Sequence, residues 1–475
     1  MLIRAPEVPL PPRAAVDRAK IELDRALGPS KVDTRPETLE SFARDESEAI
    51  GRTPDVVVHA VDAADVQAVL RVADETGVPV TPRAGGTGRT GGAVPAAGGI
   101  VLDTSTMTRV LEIDRDELLC VVEPGIVTGE LHDLVEREGL FYPPDPNSLK
   151  DCMIGGNVAH NAGGPRAFKY GVTRDWVLGL EAATLGGSLL RTGKRTVKGV
   201  TGYDLTALLV GSEGTLAVTT KATLRLERKP EAVATLLAVF ADVASASRAV
   251  TELIRSGCVP RCVELMDEGT LVAIRKQSVA IDPDARALLL VEVDGPEVLV
   301  EHDTERAGNA MSSLAKDILA AQDAAQRGRL WEARRALSPA TKKLAKYKLS
   351  EDVVVPRTRI LNLLEEVERF SAAHGVRHLT YGHAGDGNLH VNFLWDDAEE
   401  RPRVDRAIHD LMTTTVRLGG TLSGEHGIGI TKAPYLPLEQ SPDLIAIQRD
   451  VKRVFDPRGL LNPGKIFTGA PHGAC

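Results

Sequence analysis

No apolar run in the chain reaches the roughly 18 residues that a membrane-crossing helix needs, so no span is expected. The first fifteen residues hold four prolines and no apolar core, and a secretory signal is not expected there either. Positive charge is in deficit. The 57 Lys and Arg face 66 Asp and Glu, giving a net charge of −9, and that field disfavours a nucleic-acid backbone as partner. Cysteine is scarce: Cys120, Cys152, Cys258, Cys262 and Cys475 are odd in number and scattered, which argues against a disulfide framework. Cys258 and Cys262 have a metal-pair spacing, but no second pair accompanies them and both read as small core residues. A soluble protein of a reducing, cytoplasmic compartment is expected.

What is present is ordinary globular composition, 43% hydrophobic and 26% charged. At about 150 residues per domain, the 475 residues suggest roughly three units. Residues 1–50 are polar and helical in pattern. Val56–Val58 reads as a buried strand, and Asp62 caps a helix that stops before Gly77. The next strand, Val78–Val80, runs into Pro82-Arg83-Ala84-Gly85-Gly86-Thr87-Gly88-Arg89-Thr90-Gly91-Gly92. Gly86, Gly88 and Gly91 have the spacing of a dinucleotide fingerprint, but that loop must open a helix. Here Gly91, Gly92, Pro95, Gly98 and Gly99 follow, and they cannot hold a helix interior. The loop is either a phosphate cradle made of backbone N–H groups or a flexible surface loop.

Thr128 is placed as a cap on a helix that ends at Gly139. A second glycine-rich loop, Ile154-Gly155-Gly156-Asn157-Val158-Ala159-His160-Asn161-Ala162-Gly163-Gly164, follows Pro143-Pro144-Asp145-Pro146. Two such loops suggest a long ligand with two polar contact zones, such as a dinucleotide. His160 reads as a turn histidine rather than a flavin attachment point. A hairpin spans Leu178–Leu185 and Ser188–Thr192, Gly202–Leu205 opens a short helix, and Gly211-Ser212-Glu213-Gly214 leads into further strands. Beyond Pro230 the pattern becomes that of a second α+β unit, with a strand at Thr235–Phe240, a helix at Val243–Ser256 and another helix through Leu299–Gln326.

Two histidines seven apart, His383 and His390, flank the turn Gly385-Asp386-Gly387-Asn388. Alternation puts His390 and Asn392 on one face of a strand, with Leu389, Val391 and Phe393 on the other. A tight turn brings His383 back toward His390, which is either a metal-site geometry or two polar residues beside a surface turn. Glu425, in Ser423-Gly424-Glu425-His426-Gly427, is a candidate third ligand. Two histidines and a carboxylate leave a coordination position open for catalysis. In the basic stretch from Trp331 to Lys348, Arg334 and Lys348 are candidates for orienting a substrate carboxylate.

The segments Pro82–Gly88 through Pro95, Ile154–Gly164, Tyr170-Gly-Val-Thr-Arg-Asp, Thr201-Gly-Tyr-Asp-Leu and Gly211-Ser-Glu-Gly-Thr-Leu, in that order, resemble the FAD domain of the vanillyl-alcohol oxidase / p-cresol methylhydroxylase flavoproteins. The resemblance implies that Arg83, Ala84, Gly85, Gly86, Thr87, Gly88, Arg89, Thr90, Pro144, Gly155, Gly156, Asn161 and Gly163 lie at the cofactor. Arg89-Thr90 and Cys152 depart from the family pattern. With no histidine in the first glycine loop, the FAD is expected to be non-covalent.

His383 and His390 with Ser423-Gly-Glu-His-Gly, and the closing Asn462-Pro-Gly-Lys, further resemble the FAD-dependent D-2-hydroxy-acid dehydrogenases. This group includes the glycolate oxidase flavin subunit, D-lactate dehydrogenase and D-2-hydroxyglutarate dehydrogenase. The resemblance implies an α+β protein: an N-terminal helical segment (1–50), a two-part FAD-binding domain (51–229), a substrate or cap domain carrying the metal site (230–440), and a C-terminal segment (441–475) that returns to the FAD domain, with Asn462 at the cofactor. It implies Zn²⁺ on His383, His390 and Glu425, substrate contacts from Arg334, Lys348, Asn392 and His426, and His426 as catalytic base. The partners implied are a small 2-hydroxy acid and an electron acceptor, whether quinone, electron-transfer flavoprotein or iron–sulfur subunit. A partner subunit offers a route to the membrane periphery, and a homodimer is one assembly left open. Three competing readings are a non-haem Fe(II) oxygenase built on the same triad, an ether-lipid enzyme like alkyl-dihydroxyacetonephosphate synthase, and a non-catalytic FAD electron-transfer subunit.

Overall fold

The computed structural model describes residues 3–4, 8–196, 198–276, 282–335 and 337–467. Cys475 and the final residues of the 441–475 segment lie outside that range. The chain divides into two compact units, one of residues 163–171 and 230–424, the other of residues 2–162, 172–229 and 425–475. Each is a mixture of helix and sheet.

The second of these holds the glycine-rich segments. Its first sheet orders the strands Val32–Asp33, Val56–His59, Ile100–Asp103 and Val80–Arg83, the last three parallel. Asp62 caps the helix Ala63–Thr76 by accepting from the Asp65 N–H, and Gly77 ends it with a left-handed φ of 74°. Val66, Val69, Leu70 and Ala73 on that helix are fully buried with Val56, Val58, Val80, Ile100 and Leu102. The strand expected at Val78–Val80 instead spans Val80–Arg83, carrying Pro82 and Arg83 into register with Leu102 and Asp103. Pro82 is tolerated because this strand is at the sheet edge. A second, antiparallel sheet orders Leu189–Gly193, Val177–Ala183, Val218–Arg225, Leu119–Val122 and Val110–Asp114. The chain's last segment returns here: Leu461 bridges Val80, and the Asn462 N–H donates to the Val80 carbonyl at 2.7 Å.

Three local expectations are corrected. Thr128 is the first residue of its helix, not its cap; Val127 precedes it and the Thr128 hydroxyl turns to the Cys152 carbonyl. Ile154–His160 is a helix rather than a loop, with Gly155 and Gly156 in its first turn. Glycine is needed at 155 because a Cβ there would lie 2.7 Å from Pro124 Cβ. The helix read through Leu299–Gln326 is two helices, Glu297–Ser312 and Ala324–Arg335, separated by the strand Asp317–Ala320. Backbone pairing of that strand with Leu236–Val239 overrides the helical pattern.

The other unit is built on one seven-stranded, wholly antiparallel sheet. Its order is Asp317–Ala320, Ala232–Phe240, Ala287–Gly295, Cys262–Met266, Arg377–His383, Asn388–Trp395 and Tyr347–Val354. Residues 163–171 join this unit because Lys169 Nζ and the Tyr170 hydroxyl both bind the Asp294 carboxylate, at 2.5 and 2.9 Å. Leu389, Val391 and Phe393 are fully buried on one face. The helix Ile360–His374 covers that face, with Phe370 6.5 Å from Phe393. His390 and Asn392 alternate onto the opposite face.

Asp267 shows how that sheet is tied to its connections. It caps the helix Glu268–Arg275 by accepting from the Thr270 N–H at 2.8 Å, and its other oxygen accepts from the Thr380 N–H at 2.6 Å. Burial pushes this carboxyl up to about 6. The folded chain therefore keeps a proton that the unfolded chain releases near pH 4, and the associated stability is present below that pH and lost as pH rises through about 6. Denaturant midpoints of wild type and Asp267→Asn should converge as pH rises across this window, the wild type losing the larger share. A difference that does not change with pH would contradict this assignment.

Candidate active site

The hairpin Arg377–His383 / Asn388–Trp395 sets the geometry. Its register pairs His383 with Asn388 and Tyr381 with His390, so the two imidazoles are diagonal neighbours on one face, ring centroids 5.4 Å apart. On the adjoining strand Glu264 lies directly opposite His383. On the far side Asp352 lies opposite His390. This face presents polar side chains from four neighbouring strands.

Glu264 is fully buried, and its Oε1 meets His383 Nδ1 at 2.5 Å. Its Oε2 accepts from Arg334 Nε at 2.7 Å and Nη2 at 2.5 Å. Burial alone would raise this carboxyl; the Arg334 guanidinium and the His383 imidazole hold it well below the usual range. An ionised Glu264 takes the proton-bearing Nδ1 of His383, so the Nε2 lone pair is left to ligate. Asp352, also fully buried, accepts from Asn388 Nδ2 at 2.5 Å, the Ser423 hydroxyl at 2.8 Å and the Gly424 N–H at 2.9 Å. The boundary between the units falls at the Gly424–Glu425 peptide bond. One ligand atom each from His383, His390 and Glu425 all lie within 4.8 Å of one another.

Arg334 and Lys348 come together over one ring. The Arg334 guanidinium carbon is 5.0 Å and Lys348 Nζ 6.0 Å from the centroid of Tyr381, which itself lies 5.7 Å from His390. Lys348 Nζ donates to the Thr341 hydroxyl at 2.6 Å. Asn392 is fully buried, and its Nδ2 donates to the His390 carbonyl at 2.8 Å. Its Oδ1 has no hydrogen-bond partner among the described residues, so it offers a buried acceptor on the His390 face. His426 follows Glu425, its Nε2 3.8 Å from Glu425 Oε1.

In the glycine loop, among the described residues, no acceptor meets the backbone N–H of any residue from Ala84 to Gly92. Apart from the buried Thr90, Gly91 and Gly92 the loop is half-buried. A run of such donors is an anion cradle. The Arg83 guanidinium donates to the Arg44 carbonyl at 2.6 Å and lies over the Phe42 ring. It also closes on Gly86, where a Cβ would overlap its guanidinium. Pro144 is buried, its carbonyl held by His132. Gly155 and Gly156 lie in the first turn of Ile154–His160, Asn161 caps that helix at φ 52°, and its Oδ1 accepts from the Arg174 N–H. Gly163 falls in the sheet unit. Asn462, at φ 46°, donates from Nδ2 to the Gly92 and Glu213 carbonyls at 3.0 and 2.7 Å and keeps an unpartnered, buried Oδ1. Open N–H groups, glycines at close approach and an open amide oxygen fit a dinucleotide.

Glu264, one carboxylate in an apolar strand, and Asp352, beside Glu351 in its strand, carried no recognised signal. Cys120, Cys152, Cys258 and Cys262 are buried and form no disulfide among the described residues.

A glycine loop lined with open backbone N–H groups, set beside parallel strands, suits a flavin-dependent oxidoreductase. The chain belongs to the FAD-linked oxidases. The family's C-terminal domain matches residues 229–466 and an FAD-binding domain matches residues 54–193, so FAD is the cofactor. Glycolate oxidase subunit GlcD of Bacillus subtilis (strain 168) is 38% identical over 457 residues, covering 94% of this chain and 96% of that one. D-lactate dehydrogenase of Anaerostipes hadrus is 34% identical over 459 residues, with 94% and 96% covered. The crystal structure of p-cresol methylhydroxylase with substrate bound shares the fold, with a TM-score of 0.82 at 17% identity over 97% of this chain and 99% of that one.

Replacing Asn462 by alanine removes both bonds that tie Gly92 to the Glu213 turn. Flavin absorbance per protein after gel filtration should fall below wild type in Asn462→Ala; an unchanged flavin content would show that Asn462 serves another purpose.

Proposed function

We propose that the protein oxidises a D-2-hydroxy acid of the D-lactate, glycolate or D-2-hydroxyglutarate class to the 2-keto acid. The observation that carries this reading is the His383/His390/Glu425 set with the open Asn392 acceptor and two cations over Tyr381 beside it. A carboxylate needs cations to hold it, and a hydroxyl needs an acceptor and a base. The relatives named glycolate oxidase subunit and D-lactate dehydrogenase support the same substrate class.

Arg334 and Lys348 hold the substrate carboxylate. Arg334 can do so while bonded to Glu264, because a guanidinium carries five N–H donors. Asn392 Oδ1 accepts from the hydroxyl and orients it. His426 takes the hydroxyl proton as C2 gives up its hydride. FAD would supply the hydride acceptor, and a divalent cation on His383, His390 and Glu425, Zn²⁺ as the resemblance to the FAD-dependent D-2-hydroxy-acid dehydrogenases implies, would supply a Lewis acid that lowers the hydroxyl pKa. Turnover then requires an external electron acceptor such as a quinone, an electron-transfer flavoprotein or an iron–sulfur subunit.

The reading is tested by mixing purified protein anaerobically with D-lactate, glycolate and D-2-hydroxyglutarate and following the oxidised-flavin absorbance. At least one should bleach it, and a flavin untouched by all three would overturn this reading. With the reactive acid, His426→Ala should slow reduction by about 10²–10⁴-fold, the usual share of a general base. Glu264→Gln, which loosens the hold on His383 Nδ1, should weaken Zn²⁺ binding by about 10–100-fold in competition with a chelator. Zinc affinity equal to wild type would remove Glu264 from the metal site.

A further inference from the structure

One buried carboxylate in the flavin unit has no part in the chemistry above. Glu213 is 5% exposed and sits in the left-handed region at φ 54°. Its Oε1 accepts from the Ile428 N–H at 2.7 Å and its Oε2 from the Gly429 N–H at 2.8 Å. Those two amides follow His426 in the chain. The His426 carbonyl is held as well, accepting from the Thr90 hydroxyl at 2.9 Å and from His160 Nδ1 at 3.1 Å. Glu213 is fixed in turn: its N–H donates to the Ala159 carbonyl at 2.7 Å, and its own carbonyl accepts from Asn462.

The turn has no room to relax. A Cβ at Gly427, which has φ 81°, would lie 2.9 Å from both Glu213 Oε1 and His160 Nδ1. A Cβ at Gly429, at φ 51°, would lie 2.2 Å from the Thr90 carbonyl. The turn is therefore gripped from three sides by three separate segments: the glycine loop, the helix Ile154–His160 and the Gly211–Gly214 turn. With the His426 carbonyl and the Ile428 and Gly429 amides pinned, the backbone that leaves His426 is held, and this restricts where the imidazole can stand. The buried carboxylate is not isolated in charge, because Lys465, itself buried and donating to the Val94 carbonyl at 2.6 Å, lies within electrostatic reach of it.

We propose that Glu213 is the positioning residue for His426, acting with Thr90 and His160 through a clasp on the His426–Gly429 backbone. The proposal rests on the reading of His426 as base. It also gives His160 a use other than flavin attachment: its Nδ1–H holds the carbonyl of the base.

The test uses the full-length, flavin-loaded protein and whichever of the three hydroxy acids reduces it fastest. In Glu213→Gln an amide NH₂ faces one of the two backbone N–H groups, so the turn loses a bond and shifts. The limiting rate of flavin reduction should fall by about tenfold to a hundredfold, the cost of a misplaced reacting group. Flavin content and the substrate concentration giving half the limiting rate should stay near wild type. The same substitution in a His426→Ala background should change the rate by less than about twofold, because a residue acting through another has nothing left to act on. Equal fold-losses in both backgrounds would overturn the role of Glu213 while leaving His426 as base. A wild-type reduction rate in His426→Ala alone would overturn the base reading and the proposal with it. If Glu213→Gln fails to load flavin, His160 tests the same clasp: His160→Leu should slow reduction and His160→Asn, whose amide can replace the Nδ1–H donor, should restore it. Equal rates in those two variants would overturn the clasp.

Discussion

The site depends on a charge buried in the middle of a sheet. Glu264 lies fully enclosed on a strand whose neighbours are otherwise apolar, and an ionised carboxylate there costs several kcal/mol unless it is fully bonded. Two partners offset that cost, Arg334 on one oxygen and His383 on the other. The arrangement constrains both at once: the guanidinium stays at the ring of Tyr381, and the imidazole stays in one tautomer and one orientation. Removing the carboxylate would leave a buried cation unpaired. A single residue thus links Arg334, proposed to hold the substrate carboxylate, to His383, proposed to hold a metal.

The antiparallel sheet makes this possible by giving its two faces different work. One face of the hairpin carries Leu389, Val391 and Phe393 against a helix and supplies the burial that holds the strands in register. The other carries Tyr381, His383, Asn388, His390 and Asn392. A slip of one residue would exchange the faces and put imidazoles into the apolar core, so the packing that stabilises the hairpin also enforces the register of its polar side chains.

How much of this was legible in the sequence follows from which interactions are local. The hairpin, the alternation that separates His390 and Asn392 from Leu389, and the cap and stop of Ala63–Thr76 were readable, because periodicity and turn residues act over a few positions. The glycine loop was readable as something other than a dinucleotide-binding helix start, because glycine and proline forbid the helix. The strand Asp317–Ala320 was not, since only its pairing with Leu236–Val239 decides it. Glu264, Asp352 and Glu213 escaped notice for the same reason. None has a periodicity or spacing that marks the carboxylate itself, even Glu213 within the Gly211–Gly214 motif, and the partners, Arg334 and His383, Ser423 and Gly424, or Ile428 and Gly429, are distant in sequence. The role of His426 came from resemblance, whereas the grip on its backbone could be seen only in three dimensions.

The return of the final segment has a consequence for how the molecule is made. Leu461 and Asn462 pair with Val80, and Lys465 fills a buried place beside Val94, so an edge of the first sheet stays open until residues 461–465 have been synthesised. Everything from Pro230 to Gly424 must be synthesised while that edge waits. The flavin unit, although its sheets begin near the N-terminus, is completed last, and the intervening sheet unit has the opportunity to fold first as an independent insertion.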